Sequence, residues 1–114
     1  MSEWSTRLHR GRLPMWVFDQ DTLEVLDVNA AAHKQYGYTR KEFLRLSVLD
    51  LRPSGEIAKF LHAVLHPGFR KGRKGELWIH RRKDGSLFSV EITSEEFILN
   101  GRPAEIVMAR PLPS

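Results

Sequence analysis

A chain of 114 residues, 41% hydrophobic and 28% charged, carries enough apolar matter for one core but not two, which excludes disorder and a second domain within it. It has no cysteine, which excludes disulfides, thiol nucleophiles and thiolate metal sites. The net charge of +4 allows an anionic partner, but the basic residues fall in short clusters (Arg7, Arg10, Arg12; Arg70, Lys71, Arg73, Lys74; Arg81, Arg82, Lys83) among acidic ones, as on a solvated surface.

Residues 1–13 form a polar flank. Trp4 and Leu8 are one helical turn apart and suit a helix docking on another surface. "MWVFD" (15–19) and "LEVLDV" (23–28), joined by "QDT", predict a strand pair. The period then changes. Asn29 is placed to cap a helix starting "AAAHKQY", and Gly37 to end it. Thr39 and Glu42 have the spacing of a capping box, and Tyr38 with Phe43 that of a hydrophobic staple. "EFLRLSVLDL" predicts short helical turns up to Pro53. Ile57, Phe60, Leu61, Val64 and Leu65 mark the buried face of a helix over 54–66, stopped by Pro67-Gly68.

The last third predicts strands. With Asp84-Gly85 as a two-residue turn, Ile79 faces Val90 and Leu77 faces Ile92. Leu77, Ile79, Phe88, Val90 and Ile92 then share one sheet face, while Trp78 and His80 lie on the other. Asn100-Gly101 predicts a second hairpin into "PAEIVMA" (103–109). The apolar parity switches across Ser94-Glu95-Glu96, which predicts a bulge or strong twist there. Two strands, three short helices and a three-stranded meander make an α+β domain.

This order, together with "WVFDQDTLEVLDVNAAA", "YGYTRKEFL", "LDLRP", "WIHRRKDGSLFSVEI" and "NGRPAEIVMAR", resembles a PAS domain over residues 14–110, with 111–114 as a tail. The resemblance implies a five-stranded antiparallel sheet in the order 2-1-5-4-3, with helices on one face that can enclose a small-molecule pocket. It also implies sensing or dimerisation in a bacterial signalling protein, with a histidine kinase or diguanylate cyclase as the output domain. Many members end on an Asp-Ile/Val-Thr motif; here Pro111 replaces the Asp, and a helix does not readily continue through Pro111 and Pro113.

Catalytic signatures are thin: there is no GxSxG, no P-loop ending and no calcium loop. "HRRKDG" is a charged hairpin tip. Haem-binding members take an axial histidine from the third-helix region. His62 and His66 lie there, but the helical wheel turns both to water and supplies no third ligand. Photoactive flavin–thiol chemistry needs the absent cysteine. No catalytic residue, metal ligand or cofactor is therefore expected, and an unknown small ligand is allowed.

The candidate pocket lining is Tyr36, Phe43, Phe60, Leu61, Val64, Leu77, Ile79, Phe88, Val90 and Ile92. The candidate dimer or partner surface is Trp4, Leu8, Trp78 and His80. The leading expectation is a non-catalytic sensory and dimerisation module. A haem- or flavin-binding gas or redox sensor is the alternative, and a small basic nucleic-acid binder comes third. The expected partners are a second copy, an output domain and a small molecule, with no nucleic acid and no membrane contact. No apolar run approaches the ~20 residues of a bilayer span. The first residues lack the apolar core of a signal peptide, so a cytoplasmic chain is expected.

Overall fold

The computed structural model describes residues 2–66 and 71–113. Helix α1 spans Glu3–Arg10, followed by strands β1 (Met15–Asp19) and β2 (Val25–Val28). Helices α2 (Ala30–Tyr36) and α3 (Arg40–Phe43), a 3-10 turn (Val48–Leu51) and helix α4 (Ser54–Val64) come next. Strands β3 (Glu76–Arg81), β4 (Leu87–Leu99) and β5 (Arg102–Pro111) close the chain. The strands form one antiparallel sheet in the order β2-β1-β5-β4-β3, as the resemblance implies. No described helix is long and apolar enough to cross a membrane.

The local signals act as their chemistry requires. Asn29 Oδ1 accepts from Ala32 N and caps α2, and Gly37 ends it in the left-handed conformation at φ +82°. Thr39 and Glu42 form the reciprocal capping box of α3. The Tyr38 and Phe43 rings meet edge to face, 5.9 Å between centroids. The Pro67-Gly68 stop expected for the third predicted helix, and Arg70, lie outside the described residues.

The β3–β4 register differs from expectation by one residue. Trp78 pairs with Val90, His80 with Phe88 and Arg81 with Leu87. The loop has three central residues, not two. Gly85 N donates to Arg82 O, Gly85 takes φ +90°, and Arg82 N donates to Ser86 O. This is a tight turn completed by a left-handed glycine. Asp84 Oδ1 fixes it by accepting from Ser86 N and from the Ser86 hydroxyl. A one-residue slip reverses every side chain of β3. Trp78 and His80 therefore face the core, and Leu77, 61% exposed, faces away.

The expected bulge at Ser94-Glu95-Glu96 is absent from the β4–β5 ladder, which runs unbroken from Val90↔Pro111 to Leu99↔Arg102. The parity switch has another cause: the sheet is covered on both faces, by different elements at different places. On the inner face α2, α3, the 3-10 turn and α4 enclose Trp16, Phe18, Tyr36, Phe43, Phe60 and Trp78. On the outer face α1 lays Trp4 and Leu8 over Met15, Val17, Phe97, Leu99, Ala104 and Ile106. β4 thus turns Val90 and Ile92 to one core, then Phe97 and Leu99 to the other.

Asn29 ties these layers together. Its Oδ1 accepts from Met15 N as well as Ala32 N, and its Nδ2 donates to Leu8 O and Leu13 O.

Candidate functional site

The inner core has a polar lining at one end. The 3-10 turn is capped by Ser47, whose hydroxyl accepts from Leu49 N, and it delivers Arg52 beneath α4. There Arg52 is 6% exposed. Its Nη1 donates to Val48 O at 2.6 Å, and its Nε has no partner among the described residues. The guanidinium carbon lies 3.8 Å from the Phe60 ring centroid and 5.3 Å from that of Trp78. Burial pushes the Arg52 pKa down to about 10.

Glu105 comes from the centre of β5 and is also buried. Its Oε1 accepts from Gln20 Nε2 at 3.0 Å. Burial raises its pKa above the ordinary carboxylate range. Arg52, Glu105 and Arg73 line a gap of about 20 Å³, room for roughly one water molecule, whose other walls include Phe18, Phe60, Trp78 and Ile92.

A second polar pair lies deeper. The Tyr36 hydroxyl and His80 Nδ1 share a hydrogen bond of 2.6 Å, both side chains fully buried. His80 Nε2 has no partner among the described residues. Burial, with the nearby Arg52 charge, holds the His80 pKa well below its ordinary value. Burial likewise raises that of the Tyr36 phenol. The sign of the pH effect follows. Folded His80 stays neutral where the unfolded imidazole, with pKa about 6.5, takes a proton. The stability it permits is complete above pH 6.5 and is lost as pH falls below it. Glu105 acts in the opposite direction, because its raised pKa takes up a proton in the folded state first. Thermal midpoints recorded from pH 7.5 to 5 are expected to fall less steeply for His80→Gln than for the native chain; parallel curves would contradict the assignment.

The predicted pocket residues divide three ways. Phe60 and Ile92 line the gap. Tyr36, Phe43 and Val90 are core residues that do not reach it, and Val64 and Phe88 pack partly buried against that core. Leu61, Leu77 and Ile79 are not part of the lining. Leu61 is exposed on α4, whose inward face runs through Phe60, Ala63 and Val64, and the slipped register puts Leu77 and Ile79 on the outer sheet face. Of the predicted partner surface, Leu8, Trp78 and His80 are buried, and Trp4 is partly covered against Phe97. Trp78 and Phe88 share the inner face rather than opposite ones.

Sequence reasoning missed Arg52 and Glu105. A charged residue in the apolar run "AEIVMA" was the available signal for Glu105. Nothing local distinguishes Arg52 from a surface arginine. His62 is exposed on α4, as the wheel predicts, and His66, just past the end of that helix, is exposed too. No described group of three or more potential ligands is placed to hold a metal ion.

A five-stranded antiparallel sheet in this order, roofed by short helices over a partly polar interior, is the architecture of a PAS-type α+β domain. The PAS domain family model matches residues 13–108, and the chain belongs to the PAS domain family. No curated protein matches it. It is similar to the PAS domain of an HTR-like protein from Haloarcula marismortui, at 21% identity and TM-score 0.77, covering 96% of this chain and 88% of that one. It is also similar to a domain of a sensory box sensor histidine kinase/response regulator from Geobacter sulfurreducens, at 22% identity and TM-score 0.70, covering 94% and 90%. A PAS domain from Colwellia psychrerythraea gives 16% identity and TM-score 0.79, covering 96% and 94%.

Proposed function

We propose that the chain is a non-catalytic sensory module that passes the occupancy of its inner site to an output domain, a histidine kinase or diguanylate cyclase, within a signalling protein. The observation that carries this reading is the polar lining under α4. Arg52 Nε is buried at the gap without a hydrogen-bond partner among the described residues. Buried polar atoms are nearly always satisfied in native proteins, so an orphan beside a gap favours an occupant that is sometimes present. An occupant acts on the output only if it binds one arrangement of α4 better than another.

Self-association belongs to the same proposal. Two copies meet on the outer sheet face beyond α1, where Leu77 and Ile79 are uncovered or half-covered. This replaces the surface centred on Trp78 and His80. The haem alternative gains no support, since no histidine lines the gap.

A thermal-shift screen of small polar metabolites, with sizing chromatography alongside, tests the reading. It predicts saturable stabilisation by at least one compound class and a dimer that Leu77→Glu dissociates. A chain that binds nothing and stays monomeric at high concentration contradicts it.

A further inference from the structure

We propose that the gap beneath α4 is the seat of a small carboxylate held by the guanidinium of Arg52. This rests on the sensory reading above and supplies the ligand class that it leaves open. Arg52 is a buried cation, yet among the described residues no carboxylate lies within ion-pair distance of it. The acidic groups that act on it electrostatically are engaged elsewhere: Glu105 with Gln20, and Glu56 3.8 Å from Lys59. A buried charge without a counter-ion is costly, and an anionic occupant removes that cost.

Geometry selects the kind of anion. The guanidinium carbon sits against two aromatic rings, 3.8 Å from the Phe60 centroid and 5.3 Å from that of Trp78, and these rings, 72° apart, together confine its planar N–H fork. A confined planar fork is matched by a planar two-oxygen partner, which a carboxylate is and a halide is not. The apolar walls suit a short hydrocarbon remainder.

Size sets the limit. The gap as it stands holds about one water molecule, so even acetate enters only as α4 moves outward. Among the described residues nothing packs over the outer side of α4, where Leu61 and Leu65 are exposed. Binding and displacement of α4 are then one event, and a long-chain acid does not fit.

The test titrates the full chain with sodium acetate and sodium propionate, against sodium chloride and ethanol at matched ionic strength. Tryptophan fluorescence and the thermal midpoint are the readouts. The expected result is a saturable response to the two carboxylates and none to chloride or ethanol. Arg52→Met is expected to weaken the response at least tenfold, and Arg52→Lys to weaken it less. Circular dichroism establishes that each variant folds; if the methionine variant does not, the lysine variant carries the comparison. No saturable carboxylate response, an equal response to chloride, or undiminished affinity in the variants would overturn the proposal. A non-carboxylate ligand whose binding survives the loss of Arg52 also overturns it, while leaving the sensory reading intact.

Discussion

Trp78→Ala is expected to lower stability by about 3–5 kcal/mol, the usual cost of deleting a buried large aromatic. Leu77→Ala, one residue away, is expected to stay within about 0.5 kcal/mol, like other surface changes. The contrast follows from the register. Trp78 is 4% exposed, packs edge to face on Phe60 with ring centroids 5.9 Å apart, and donates its Nε1 hydrogen to Glu76 Oε1 at 2.7 Å. Its removal leaves a void beside Arg52 and strips one wall from the gap. Urea denaturation measures both variants. Equal losses, or a larger loss at Leu77, would mean that β3 is paired in the other register.

Asn29→Ala is expected to cost about 2–4 kcal/mol. One part is the lost helix cap, about 1 kcal/mol. The other is Met15 N, which loses its Oδ1 acceptor in a buried place, at about 1–3 kcal/mol. The effect extends beyond α2, because Nδ2 holds the carbonyls of Leu8 and Leu13 and so fixes where α1 leaves the outer face. Asn29→Asp separates the two roles. It keeps the acceptor for Ala32 N and Met15 N, but turns a negative oxygen toward two carbonyls. The aspartate variant is therefore expected to retain the α2 cap while loosening α1, seen as faster amide exchange in residues 3–10. Unchanged exchange there would show that α1 is held by Trp4 and Leu8 alone.

The helical third of the fold was legible because its signals are local. The cap bond from Asn29 to Ala32, the Thr39–Glu42 capping box and the left-handed Gly37 each act within four residues and can be read from the local sequence. β3 was not legible in the same way. Leu77, Trp78 and Ile79 are all apolar, so alternation cannot choose a face, and the choice passed to the turn. Asp-Gly favours a two-residue turn, but Ser86 hydroxyl and amide groups on Asp84 draw the loop out by one residue. The rule that failed on β4 was that a strand has one buried face. It holds where a sheet is covered once and fails where α1 covers the second face from Phe97 onward. Arg52 was invisible for a related reason: its burial is made by Phe60 and Trp78, one eight residues away and the other on a distant strand. The site emerges only when helix and sheet are brought together.

The central claim is that occupancy of the inner face beneath α4 is what this module reports. Amide and side-chain NMR shifts of the isotope-labelled chain, recorded as a stabilising small ligand is added, test it most directly. The account predicts changes clustered at the Trp78 indole, the Arg52 guanidinium and the α4 backbone, with Leu77 and Leu99 on the outer face unmoved. Shifts confined to the outer face, with the Trp78 and Arg52 signals unmoved at saturation, would contradict it.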